Sequence, residues 1–147
     1  MGSLNVQATE ENIGPVLDFV TAELKRNNLP ANLQSDILVA AEEIFVNIVH
    51  YAYKPGQSGE VAINASITDK AIFRFEDTGI PFNPLEIEAP DLNVALEERK
   101  IGGLGVHLVK NLMDKVEYER AGGKNILTFT KELLAGIGHC FLGDNST

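Results

Sequence analysis

Gly102-Gly103-Leu104-Gly105 opens an apolar helical pattern made by Val106, Leu108, Val109, Leu112 and Met113. Glycine lets a backbone approach a ligand closely, and the first turn of a helix offers N–H groups that have no intrahelical partner. The pairing is an anion seat suited to phosphate, and it is equally the form of a plain tight turn. Upstream, Glu43 and Asn47 stand at i and i+4, on one face of a second helical stretch, and His50 stays within about one-sixth of a turn of Asn47. Their neighbours Ile44, Phe45, Val46, Ile48 and Val49 are apolar, and a carboxylate and an amide in such surroundings are costly unless something satisfies them. Either they cap a nearby loop or bond each other, or the Asn47 amide oxygen serves a hard cation such as Mg²⁺ and Glu43 serves as a general base. Glu42 competes as the carboxylate but points about 100° away from Glu43.

A third polar group is Asp77, placed where the apolar strand pattern ending Phe75-Glu76 meets the loop Thr78-Gly79-Ile80-Pro81-Phe82. A turn-forming aspartate is one reading. The other is a pocket-facing carboxylate that accepts a hydrogen bond from an exocyclic amine, the group that tells adenine from guanine.

The elements that must carry these groups follow from periodicity. Leu4 to Thr9 alternates as a short strand, with Thr9 as a helix cap ahead of acidic Glu10-Glu11. Ile13, Val16, Leu17, Val20 and Leu24 then keep helical spacing to about Asn27-Asn28, and Pro30 suits the first turn of a longer helix running to about Ala52. Val61 to Ile67 and Ala71 to Glu76 form a hairpin around Thr68-Asp69-Lys70. A Pro-rich acidic loop covers about 79–101, with a short helix near Leu92 to Glu98, before the glycine-led helix from 103 to about 114. Val116 to Arg120 and Asn125 to Lys131 are the final strands, around the turn Ala121-Gly122-Gly123-Lys124. The fold expected is α+β: a two-layer α/β sandwich whose mixed, mainly antiparallel sheet is covered by helices on one face. Residues 1–132 form that domain, and 133–147 form a glycine-containing tail.

The chain has 147 residues, 44% of them hydrophobic, enough for one real core. A net charge of −9 argues against nucleic-acid binding, which needs clustered cations. No apolar run reaches the roughly 20 residues of a membrane span. The start lacks the basic and apolar regions of a secretory signal, and the lone Cys140 gives no internal disulfide, so a cytoplasmic setting is expected.

Glu43-x-x-x-Asn47, Asp77-x-Gly79-x-Pro81-Phe82 and Gly102-Gly103-x-Gly105 together resemble the asparagine box and two glycine boxes of the ATPase superfamily shared by gyrase, heat-shock chaperones, histidine kinases and mismatch-repair proteins. The runs Ala41 to Tyr53, Asp77 to Pro84 and Met113 to Tyr118 are most similar to the anti-sigma-factor serine/threonine kinases, including Pro81 where the wider superfamily has a glycine. The resemblance spans about residues 5–132. It implies the Bergerat ATP-binding fold, with ATP and Mg²⁺ held between helices and sheet. Asn47 would be the metal ligand, and Asp77 would take the adenine amine. Gly79, Pro81, Phe82 and the backbone of Gly102, Gly103, Leu104, Gly105 and Val106 would shape the nucleotide site under a lid at 84–102. Glu43 would take the proton from a partner's serine or threonine hydroxyl. Arg99 and Lys100 stand where a lid cation reaches the terminal phosphate, or else are solvated surface. His50 touches phosphate or ribose, or is structural; His107 packs or faces solvent. The implied activity is a serine/threonine kinase and anti-sigma factor in partner switching. Its implied partners are a sigma factor or similar regulator and an anti-anti-sigma (STAS-type) substrate, with homodimerisation through the sheet region. The alternative is a nucleotide-gated module that sequesters a regulator without phosphoryl transfer.

Overall fold

The computed structural model describes residues 2–54, 56–57, 59–86 and 103–133, with backbone only at 103 and 104. Five strands form one antiparallel sheet: β1 (Gly2–Gln7), β2 (Glu60–Ile67), β3 (Lys70–Asp77), β4 (Lys115–Ala121) and β5 (Lys124–Glu132), in the order β1-β2-β3-β5-β4. Among the described residues three α-helices accompany them: α1 (Ile13–Arg26), α2 (Ala31–Tyr51) and α3 (Gly103–Leu112).

Side-chain periodicity decides which surfaces meet. Val16, Val20 and Leu24 recur every fourth residue on α1, and Ile37, Ala40, Ala41, Ile44, Phe45 and Ile48 give α2 its buried stripe. On the strands, alternation turns Val61, Ile63 and Ala65, then Ala71, Phe73 and Phe75, then Leu127 and Phe129, toward the helices. Phe73 lies opposite Phe129 in the register and stacks on it at 5.5 Å between ring centroids. Burying each such ring stabilises the fold by about 1.5–3 kcal/mol. The result is the α+β two-layer arrangement expected from the sequence, with an entirely antiparallel sheet among the described strands.

Local chemistry sets the joints. Asn28 takes a left-handed φ of 56° after α1, and extended Pro30 then launches α2. Gly122 and Gly123 both have positive φ, 61° and 76°, which the two-residue β4–β5 hairpin turn requires. Thr9 does not cap a helix with its side chain. Asn12 instead donates from Nδ2 to the Gln7 carbonyl at 2.8 Å and to Thr9 Oγ1 at 3.2 Å, and a short 3-10 turn over Glu10–Asn12 leads into α1. Leu133, assigned to the tail by the sequence, is buried in the core and donates its N–H to the Asp69 carbonyl at 3.1 Å. The expected short helix at 92–98 and the tail beyond 133 lie outside the described residues. Among the described residues no helix is long and apolar enough to cross a membrane.

Candidate functional site

The sheet register carries the first part of the site. Asp77, the last residue of β3, pairs with Asn125 of β5, and Asn125 pairs in turn with Arg120 of β4. Asp77 and Asn125 are both buried, and one bond ties them: Asn125 Nδ2 donates to Asp77 Oδ1 at 2.9 Å. The same oxygen accepts the Gly79 N–H at 2.9 Å. Burial pushes the Asp77 carboxyl above its ordinary pKa, opposed by the bonds from Asn125 and Gly79 and by the Arg120 guanidinium.

The loop after Asp77 is pinned residue by residue. Thr78 donates its N–H to the Tyr53 hydroxyl at 3.0 Å, and the Gly79 carbonyl accepts from Arg120 Nη1 at 2.9 Å. Ile80 donates its N–H to the Ala52 carbonyl at 2.8 Å, and its own carbonyl accepts from Asn125 Nδ2 at 2.7 Å. Phe82 N–H donates to Asn125 Oδ1 at 3.2 Å. A Cβ on Gly79 would run into the Ala52 carbonyl, so this glycine lets the loop close on the end of α2.

Helix α2 supplies the opposite wall. Asn47 is 2% exposed, and among the described residues neither Oδ1 nor Nδ2 has a hydrogen-bond partner. Two unmade amide groups inside a protein are rare, since each costs about 1–3 kcal/mol. One turn earlier, the Glu43 carboxylate lies against Gly105 in the first turn of α3, where an added Cβ would strike its Oε2. Burial raises the Glu43 pKa, and the neighbouring charge of Glu42 adds to the rise. Between these walls lies a narrow cleft with about 20 Å³ of free space, lined by Ile44, Ile48, Ala52, Phe75 and Leu127 together with Asn47, Asp77 and Asn125. Apolar walls with a few convergent polar groups suit a flat ring that carries a hydrogen-bond donor.

Phe82 lines the same cleft and packs on Tyr51 at 5.1 Å. Pro81 is exposed, beside Ile80 and Arg120 in a shallow depression outside that cleft. Val106 is wholly buried, and Gly103 and Leu104 begin α3. His50 does not line this cleft; its Nε2 stands 3.5 Å from Glu10 Oε1 in the 3-10 turn that precedes α1. His107 is half-buried on α3. Arg99, Lys100, Gly102 and most of the expected lid lie outside the described residues. Asn125, Tyr118 and Arg120 were missed by the sequence reading. The signal for Asn125 was present, since it sits two before Leu127 and four before Phe129 and so falls on the core face of β5.

The profile of the histidine kinase-like ATPase domain family matches residues 6–131. The chain is similar to the serine/threonine-protein kinase BtrW of Bordetella bronchiseptica, 28% identical over 106 residues that cover 71% of this chain and 75% of that protein. It is similar also to the serine-protein kinase RsbW of Bacillus subtilis, 26% identical over 84% of this chain and 80% of that one. RsbW of Listeria monocytogenes is 34% identical over 56% of this chain and 55% of that one, so the match spans about half of each. Among solved structures, the RsbU and RsbW domains of Rv1364c from Mycobacterium tuberculosis superpose with a TM-score of 0.64 over 90% of this chain and 33% of that one, at 17% identity. At that identity the likeness speaks for the fold.

Proposed function

Because the chain belongs to the histidine kinase-like ATPase domain family, we propose that it binds Mg·ATP in the cleft between α2 and the sheet and phosphorylates a serine or threonine of a partner protein. The partner would be an anti-anti-sigma protein of the STAS type, and the same chain would hold a sigma factor or similar regulator when the partner is phosphorylated. Pairing of two copies through the sheet region belongs to the same reading. The observation that carries it is Asn47: a buried amide whose two polar atoms have no partner among the described residues, facing a cleft whose far side holds a buried carboxylate.

The residues present fit the groups the family implies. The Asn47 amide oxygen would hold Mg²⁺, which when bound offsets phosphate charge. Asp77 keeps Oδ1 occupied by Gly79 and Asn125, and Oδ2 takes no bond among the described residues, so one oxygen is left for a ligand amine. The N–H groups of the first turn of α3, from Gly103 to Gly105, would hold the phosphates. Glu43 takes the proton of the acceptor hydroxyl as its oxygen bonds to the γ-phosphorus and the bond from that phosphorus to the bridging oxygen breaks, leaving ADP. Burial, with the charge of Glu42 adding to it, raises its pKa and makes it a stronger base than an exposed glutamate.

The test is incubation with γ-labelled ATP and the antagonist protein encoded nearest this gene. Label on a serine or threonine of that protein, lost in Glu43→Gln, supports the kinase reading. Tight binding of Mg·ATP and of the partner with no transfer favours the sequestering module instead.

A further inference from the structure

Asn125 is a hub with no freedom. Its Nδ2 donates to Asp77 Oδ1 and to the Ile80 carbonyl, at 2.9 and 2.7 Å. Its Oδ1 accepts from the Phe82 N–H at 3.2 Å and from the Tyr118 hydroxyl. Both acceptors sit on the nitrogen side and the Phe82 donor sits on the oxygen side, so a flipped amide would set its oxygen against a carboxylate and a carbonyl and its NH₂ against an N–H. The register fixes its position as firmly, because Asn125 is the strand partner of Asp77.

We infer that Asn125 is a positioning residue that holds the Asp77 carboxylate in one rotamer, with Oδ1 engaged and Oδ2 turned to the ligand, and holds Phe82 at the cleft wall, so that it sets the preference for a purine bearing an exocyclic amine over one bearing a carbonyl at that place. The purine half of this inference rests on the nucleotide reading above. The loop half stands on the ligand-free geometry alone. Asp77 with a free rotamer offers either oxygen at varying angles, and a carboxylate that can rotate discriminates poorly between an amine and a carbonyl carried with its ring N–H. Rigid support of a contacting group by a neighbour is the general means of holding such geometry.

The experiment uses the full chain and two variants, Asn125→Ala and the equal-sized Asn125→Asp, with calorimetric titration of Mg·ATP and Mg·GTP and amide hydrogen exchange on the ligand-free protein. In Asn125→Ala the Phe82 amide should exchange about tenfold faster or more, the weight of one lost hydrogen bond, while the amides of Phe75 and Leu127 keep their protection and report an intact sheet. The ratio of ATP to GTP affinity should fall about tenfold in both variants. It falls in Asn125→Asp although that side chain can still accept from Phe82, because it no longer donates to Asp77. Wild-type selectivity in both variants, or unchanged Phe82 exchange in Asn125→Ala, overturns the role given to Asn125. A wild-type chain that binds neither nucleotide instead sinks the nucleotide reading and the purine preference with it, while the exchange result still decides whether Asn125 pins the loop.

Discussion

Replacing Asn47 with leucine should strengthen the empty protein and disable it. Both amide atoms of Asn47 are buried and unbonded among the described residues, and each unmade group costs about 1–3 kcal/mol. Leucine keeps the branching at Cγ, removes both costs and adds apolar burial next to Ile44 and Ile48. Its greater bulk costs part of that gain, about 1–3 kcal/mol in a tight core, and the adjoining cleft, with about 20 Å³ of free space, relieves little of that cost. A net stabilisation of about 1–3 kcal/mol is expected, which is about a 5- to 150-fold rise in the folded-to-unfolded ratio. For a chain of this size it raises Tm by about 2–12 °C. Urea unfolding with and without nucleotide is the assay. At a free Mg·ATP concentration of about 100 times Kd the wild type gains about 2.7 kcal/mol, and Asn47→Leu gains none. A ligand-free variant less stable than the wild type, or one stabilised equally by Mg·ATP, would refute the claim that this amide is kept for a ligand at the expense of folding.

Other expectations follow from the same geometry. Glu43→Gln should bind Mg·ATP normally and lose about 10²–10⁴-fold in phosphoryl transfer; wild-type transfer should rise with pH through a midpoint above the usual carboxylate range, because burial and Glu42 raise the Glu43 pKa, and a profile unchanged by the substitution removes Glu43 as the base. Asp77 also has a raised pKa in the folded protein, so its contribution to stability is present in acid and is lost as pH rises through that raised value. Asp77→Asn should therefore gain stability relative to the wild type as pH rises from acid to neutral, and should weaken the preference for ATP; a stability gap independent of pH contradicts this account of Asp77. Gly79→Ala drives a Cβ into the Ala52 carbonyl and should cost about 1–3 kcal/mol, whereas Gly14→Ala near the start of α1 meets nothing within 4 Å and should gain up to about 1 kcal/mol. Denaturant midpoints that move the same way for both glycines would show that Gly79 is not held by close packing.

What could be read without the structure was what is local. The apolar stripe of α2 made Glu43 and Asn47 conspicuous, because a carboxylate and an amide in a run of Ile, Phe and Val stand out by residue type alone. The change from strand alternation to a Gly/Pro loop placed Asp77 at a strand end, and the paired glycines at 122 and 123 marked their turn. What escaped was non-local. Asn125 gains its meaning only when β5 pairs with β3, and that pairing joins residues 48 positions apart. Tyr53 reads as an ordinary aromatic after a helix until its hydroxyl is seen meeting the N–H of Thr78. Gly79 was legible as special, but the close approach it permits in this structure is to the carbonyl at the end of α2. His50 falls near the Asn47 face by helical arithmetic, yet the 3-10 turn at Glu10–Asn12 brings Glu10 to it, a contact that spacing within α2 does not contain.

The central claim is that α2, the loop after β3 and the start of α3 converge on one ligand. The most direct measurement is a titration of ¹⁵N-labelled protein with Mg·AMP-PNP, followed in amide NMR spectra. The side-chain NH₂ of Asn47 and the backbone amides of Gly79, Phe82 and Gly105 should shift together and saturate at one equivalent, while Ala62 and Thr128 on the opposite face of the sheet stay in place. Saturating nucleotide that leaves the Asn47 and Gly105 signals unmoved, or moves them at different stoichiometries, would contradict the account.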